Sequence, residues 1–141
     1  MFAERDMELA EAARLMREHH VGTLVVVEDA PKGRVPVGML TDRDIAVGIL
    51  AGGVDPRSLR VGEVMTEKPV TIRESDDVLD ALRMMRSRGV RRLPVTDEGG
   101  VLVGILSLDD LLEAVAEQLA ELARAIAVER AHEARARPAR R

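Results

Sequence analysis

Residues 75–116 read SDDVLDALRMMRSRGVRRLPVTDEGGVLVGILSLDDLLEAVA, and this stretch is a second copy of one near the start of the chain. Its first part lies over residues 6–27, DMELAEAARLMREHHVGTLVVV, at an offset of 69, with seven identities in 22 positions (Ala12/Ala81, Arg14/Arg83, Met16/Met85, Arg17/Arg86, Val21/Val90, Leu24/Leu93 and Val26/Val95). Its last part, 103–116, lies over 37–50, VGMLTDRDIAVGIL, at an offset of 66, because the loop of the first copy is three residues longer. Loops absorb such insertions at little entropic cost. The substitutions also keep residue class, as in Leu9/Val78, Met39/Ile105, Thr41/Ser107 and Ile45/Leu111. An internal duplication therefore organises the fold.

Each copy carries the same order of elements. Leu9, Ala12, Ala13 and Met16 in the first, and Val78, Ala81, Leu82 and Met85 in the second, recur at helical spacing and predict an amphipathic helix. Ser75 followed by Asp76 and Asp77 predicts a capped helix start, and Gly89 its end. The β-branched runs Val21–Val27 and Val90–Thr96 each lead through a polar turn into a second run, Val35–Leu40 and Val101–Leu106, as hairpins do. The first turn, Glu28 to Arg34, reads as a longer loop punctuated by Pro31 and Gly33, and the second, Asp97 to Gly100, as a tight one. New helices are expected at Thr41 and at Ser107. Between the copies, Gly52-Gly53-Val54-Asp55-Pro56 breaks a helix, and Val61-Gly62-Glu63-Val64-Met65-Thr66 with Pro69-Val70-Thr71-Ile72 leads into the second copy.

The class is α+β: two strand-helix-hairpin-helix repeats related by a pseudo-twofold axis, packed through their sheets, with a long C-terminal helix. Units this small are marginal alone, so they are expected to share one aliphatic core. The expected boundaries are 1–60 for the first repeat, with its entering strand truncated, 61–123 for the second, and 124–141 for a helix extension and Arg-rich tail.

Composition narrows the functions available. In 141 residues there are one Phe and no Trp, Tyr or Cys. Disulfide scaffolds, Cys-based zinc sites, thiol nucleophiles and RNA modules that stack bases on sheet aromatics all need residues that are missing. No apolar run reaches the roughly 18 residues of a membrane helix and the first residues hold no secretory core, so a cytoplasmic location is expected. The net charge is −4, yet residues 124–141 hold six Arg against Glu129 and Glu133, which leaves −8 on the rest and makes nucleic acid an unsuitable partner.

With VGEVMTEKPVTI, VRRLPVTDEGGVLVGILSLDDLL and the first-copy counterparts HHVGTLVVVE and VPVGMLTDRDI in place, the chain resembles a tandem pair of cystathionine-β-synthase (CBS) domains, a Bateman module, over nearly its whole length. The resemblance implies a regulatory module that performs no chemistry. Its ligand would be an adenine nucleotide or related adenosyl compound: AMP, ADP, ATP, S-adenosylmethionine or NAD(H). With no further domain beside the pair, it implies a stand-alone form acting on itself or on a separate regulated protein.

Two spacings offer a ligand site, Thr41-x-x-Asp44 and Ser107-x-x-Asp110. A hydroxyl at a helix start can bond a phosphate, and an Asp one turn later can accept from two ribose hydroxyls, the roles such pairs take in the family. The same spacing also makes a helix-capping box. By the crosswise family pattern, one cleft joins Thr66, Thr71 and Val90 to Thr41 and Asp44. The second joins Arg92, Ser107 and Asp110 to a strand before Asp6, and only five residues precede Asp6. Unequal occupancy is expected. At most one of the neighbours Arg91 and Arg92 should face ligand, since strand side chains alternate.

The other candidates are weaker. His19 and His20 invite a metal reading, but adjacent helical residues point about 100° apart and suit a surface helix end better. The seven Met read as core filler, and no nucleophile with a base, GxxxxGK loop or carboxylate pair supports an enzyme. In the helix from Ser107 to about Ala136, Leu112, Val115, Leu119, Leu122 and Ile126 keep the spacing of a coiled-coil seam, so a homodimer is expected. The alternative is an adaptor with degenerate clefts that recruits a partner through this helix and the tail. Without rings to stack on, a purine would be held by Val, Thr and Met contacts, with affinity about micromolar.

Overall fold

The computed structural model describes residues 1–136; the last five residues of the Arg-rich tail lie outside them. The chain divides into two compact units, Met1–Leu106 and one that begins at Ser107.

In the first unit the duplicated order is seen directly. Strand β1 (Phe2–Glu4), helix α1 (Leu9–Glu18) and the hairpin β2 (Thr23–Ala30) and β3 (Gly33–Thr41) make the first repeat, which is closed by a π-helix at Asp44–Leu50. A 3-10 turn at Pro56–Ser58, the short helix α2 (Val61–Val64) and strand β4 (Thr66–Glu67) form the connection. The second repeat has β5 (Ile72–Arg73), α3 (Val78–Arg88), β6 (Arg92–Thr96) and β7 (Leu102–Ser107). Two sheets result, ordered β1-β2-β3-β4 and β5-β6-β7. Among the described residues no helix is long and apolar enough to cross a membrane.

The entering strand of the first repeat, expected to be truncated, is present. Ala3 pairs in parallel with Val26, as Ile72 does with Val95, so both members of the pair shift by the repeat offset of 69. Parallel pairing asks only for extended backbone, and three residues supply it. The strand is held further by the fully buried Ala3, by Arg34 stacked 4.3 Å from the Phe2 ring centroid, and by Arg5, which reaches Glu28 at 2.9 Å and Glu67 at 3.2 Å.

The expected long loop between β2 and β3 is also shorter. The strands pair as far as Ala30 and Gly33, leaving Pro31 and Lys32 at the turn. Gly33 takes φ 137°, a value that only glycine adopts readily. Pro36 has no N–H to give the ladder, and the β2–β3 register slips beside it, with Val26 opposite Gly38 and Val27 opposite Pro36. The bulged Val37 is left with a carbonyl that accepts from Lys68 N at 3.2 Å.

In α3 the cap is Asp77, whose side chain accepts from Leu79 N, and not Ser75; Asp76 instead turns back to accept from Arg73 N. Gly89 ends that helix in the left-handed conformation, with φ 65°. At the offset of 69, His20 does the same after α1, with φ 53°.

Burial is split between two faces of β2. Leu24 and Val26 join Ala3, Leu9, Ala12, Met16, Leu40, Ile45, Val61 and Met65 in one buried cluster, all of it within the first repeat and the connection. Thr23, Val25 and Val27, on the opposite face, are buried as well, and there the second repeat makes contact through Arg92. The single shared core expected from the duplication is therefore divided by a strand that is covered on both sides.

The second unit is dominated by one long helix, α4 (Leu108–Ala136). Leu112, Leu119, Leu122 and Ile126 lie exposed along it, and Val115 is half-buried.

Candidate functional site

One cleft of about 770 Å³ lies where four stretches of the first unit converge: the start of β2, the end of β3 with the residues after it, the stretch from β4 to Val70, and the passage from α3 into β6. It is lined by Thr41, Asp44, Thr66, Val90 and Arg92, five of the residues singled out by sequence. Its volume is in the range that holds one small ligand.

The hydroxyl and carboxylate at its centre are fixed by each other. Asp44 Oδ2 accepts from Thr41 N at 2.8 Å, and Thr41 Oγ1 accepts from Asp44 N at 3.1 Å. This is the reciprocal capping box, and it leaves chemistry unused. The Thr41 hydroxyl keeps its hydrogen, for which no acceptor stands among the described residues, and Asp44 keeps Oδ1. A donor beside a carboxylate oxygen, both on a braced backbone, is suited to a sugar diol and an adjoining anion.

Ser107 and Asp110 form the matching box in the second unit. Asp110 Oδ2 accepts from Ser107 N at 2.8 Å, and Ser107 Oγ accepts from Asp110 N at 3.1 Å. Here the serine hydroxyl also donates to Asp110 Oδ2 at 2.6 Å, so the hydrogen that Thr41 holds ready is already engaged in the second pair. The two boxes are not equivalent.

Two sequence expectations are placed differently. Arg92, grouped by the family pattern with Ser107 and Asp110, lines the same cleft as Thr41 and Asp44, and its Nη1 donates to Thr23 Oγ1 at 3.3 Å. Strand alternation gave no reason to put both neighbours there, yet Arg91 lines the cleft too, because it sits before β6 begins, where the pleat does not yet hold. Thr71 is half-buried beyond Val70, which is the last residue of its stretch to line the cleft.

Sequence reasoning missed Met39, Asp42, Arg43 and Lys68. Asp42 and Arg43 are the two intervening residues of the Thr41-x-x-Asp44 spacing, and Lys68 lies between Thr66 and Thr71, so the spacings themselves pointed to them. The apolar part of the cleft is Met39, Pro69, Val70 and Val90, and the one Phe of the chain is not in it. His19 and His20 are exposed at the end of α1, and among the described residues no group of three or more His, Cys, Asp or Glu could hold a metal ion.

The CBS domain family model matches residues 1–51 and 61–117. The CBS domain-containing protein YhcV of Bacillus subtilis is 43% identical over 103 residues, 73% of this chain and 69% of that protein. The crystal structure of CBSX2 in complex with AMP superposes with a TM-score of 0.67 at 27% identity, covering 83% of this chain and 87% of the other. The cytosolic domain of the Mg2+ channel MgtE in complex with ATP gives 0.67 at 33% identity, covering 81% and 44%. The chain spans from about half to about two thirds of the length of the curated relatives it matches. Two matched segments, two sheets with the same parallel entry and two hydroxyl-x-x-Asp boxes agree: this chain belongs to the CBS domain family and carries the domain twice.

Proposed function

We propose that the chain is a regulatory module, without catalytic chemistry of its own, that binds an adenine nucleotide or related adenosyl compound in the cleft of Thr41 and Asp44. The observation that carries this is the capping box that leaves the Thr41 hydroxyl hydrogen and Asp44 Oδ1 available beside an aliphatic wall of Val70 and Val90. Ribose and phosphate would meet the polar pair and the base would lie among Val70, Val90 and Met39, taking its hydrogen bonds from backbone. Two CBS-pair structures that this chain resembles hold AMP and ATP, which supports the ligand class. Ser107 and Asp110 would form the weaker site, their hydroxyl being engaged already.

The exposed Leu112, Leu119, Leu122 and Ile126 support a homodimer whose geometry ligand binding would alter. A cytoplasmic location suits such a sensor.

Thermal unfolding with AMP, ATP, S-adenosylmethionine and NADH in turn tests the reading. A ligand at 100 times its dissociation constant stabilises the native state by about 2.7 kcal/mol, a rise of several degrees in Tm. No shift with any of the four would leave the adaptor as the reading to pursue.

A further inference from the structure

We propose that the cleft selects adenylates with two or more phosphates over AMP, adenosine and the cationic S-adenosylmethionine, and that Lys68 and Arg43 make the selection. This rests on the nucleotide-binding reading above and narrows it to one ligand class.

The charge inventory comes first. Arg43, Lys68, Arg91 and Arg92 line the cleft against two carboxylates, Asp42 and Asp44. This local excess of positive charge sits on a body, residues 1–123, whose formal charge is −8. Nothing in the general composition produces it.

The cations are not equally committed. Arg92 is tied to Thr23, and Arg91 also has a partner. Arg43 and Lys68 are exposed on the cleft and their side chains have no partner among the described residues. A single phosphate can be met by the Thr41 hydroxyl and one arginine. Two further unpaired cations are more than a monophosphate uses, whereas the two or three phosphates of ADP and ATP supply anions for both.

Lys68 is also held at a backbone cost. Its φ is 52°, a left-handed conformation that is unfavourable for an L-residue and that glycine would take freely. The bulge carbonyl of Val37 accepts its N–H and holds it there, against the extended backbone that the following Pro69 favours. A strained non-glycine residue at the rim of a binding cleft suggests that its side chain is in use. The same two cations would repel the sulfonium and ammonium groups of S-adenosylmethionine.

The test is isothermal titration of the full chain with adenosine, AMP, ADP, ATP and S-adenosylmethionine, in EDTA so that no divalent ion masks the phosphates. The proposal expects ATP to bind about tenfold or more tightly than AMP, the scale of one charge-assisted contact, with ADP between them. Lys68→Gly removes the charge while relieving the backbone, so misfolding does not confuse its result. It and Arg43→Gln should each weaken ATP severalfold and change AMP less than about twofold. Lys32→Gly, at the β2–β3 turn, should change none of them. Equal affinity for AMP and ATP, tightest binding of S-adenosylmethionine, or an equal loss for every ligand in Lys68→Gly would each overturn the selection and leave the nucleotide site standing. Absence of binding by all five would overturn both.

Discussion

Arg92 donates to Thr23 at 3.3 Å, and the two residues stand 69 apart, the offset that superimposes the two repeats. A residue touches its own counterpart only where a twofold axis passes, so this contact marks the pseudo-twofold axis of the pair. The axis thus runs beside the cleft, and this position where the repeats meet is also one where they differ, Arg in one copy and Thr in the other.

The contact makes a measurable prediction. Thr23 is buried, and Thr23→Val keeps its shape while removing the acceptor. In a double-mutant cycle with Arg92→Met, followed by urea unfolding, the coupling should be about 0.5–1.5 kcal/mol. Independent effects of the two substitutions would show that the axis contact carries no energy.

The ends of α1 and α3 provide a second prediction, because one uses histidine where its counterpart uses glycine. His20 sits at φ 53° and Gly89 at φ 65°. The chain bonds beyond them match too: Val21 N donates to Met16 O and Val90 N to Met85 O, at 3.0 and 3.1 Å. His20→Gly should relieve the left-handed strain and raise stability by about 0.5–1 kcal/mol, while Gly89→Ala should lower it by a similar amount. Chemical denaturation of both variants checks the pair, and a destabilised His20→Gly would mean that the imidazole contributes packing at the end of α1.

Much of this was legible in sequence, and what was not has local causes. Helix α1 and the hairpins could be read because Leu9, Ala12 and Met16, and the alternating Leu24 and Val26, report a buried face through spacing alone. Strand β1 could not, since its only buried residue is Ala3 and its pairing depends on β2. Nor could the π-helix, where Ala51 N bonds Ala46 O and Val54 N bonds Ile49 O: the apolar spacing of Ile45 and Ile49 fits a five-residue hydrogen-bond step as well as a four-residue one. In the site, Thr41 and Asp44 were found because duplication drew attention to their spacing, and Thr66 and Val90 through the crosswise pattern of the family. Lys68 stands between Thr66 and Thr71 in the sequence, but its positive φ has no composition signal, and Arg92 was assigned elsewhere because the direction of a side chain at a strand's first residue is set by tertiary contact.

Gly38 tests how the connection is seated. A Cβ there would meet the Met65 sulfur and would stand 3.0 Å from the carbonyl oxygen of Thr66, a backbone atom in β4 that cannot swing aside. Gly38→Ala should therefore push β4 off β3 and cost about 1–3 kcal/mol by overpacking. Since Thr66 lines the cleft, nucleotide affinity should fall with it. Unfolding and titration together check this, and an unchanged affinity in a destabilised variant would show that Thr66 is not needed for binding.

The exposed face of α4 makes the next prediction. Leu119 and Leu122 are 62% and 60% exposed in the single chain, and they occupy the middle of the 112-115-119-122-126 seam. If that seam pairs with a second copy, placing Glu at both positions sets like charges across it. The chain should then sediment as a dimer and the Leu119→Glu/Leu122→Glu variant as a monomer at micromolar concentration. Because neither side chain is buried in the single chain, the thermal stability of the monomeric fold should change by no more than about 0.5 kcal/mol. Equal sedimentation of the two proteins would remove α4 from the interface.

Asp44 has two duties that can be separated, a cap for the Thr41 N–H and an acceptor toward the cleft. Asp44→Ala removes both, and the lost cap alone should cost about 0.5–2 kcal/mol of stability. Asp44→Asn keeps an amide oxygen for Thr41 N, so stability should recover to within about 0.5 kcal/mol of the parent, since Asn caps as well as Asp does. The charge-assisted acceptor is not recovered, and nucleotide affinity should stay at least about tenfold weaker. Asp110→Ala should leave the affinity of the Thr41 cleft unchanged, because that carboxylate is bonded within its own box. Stability and affinity recovering together in Asp44→Asn would mean that the carboxylate serves only the fold, and loss of binding in Asp110→Ala with binding kept in Asp44→Ala would move the working site to the second box.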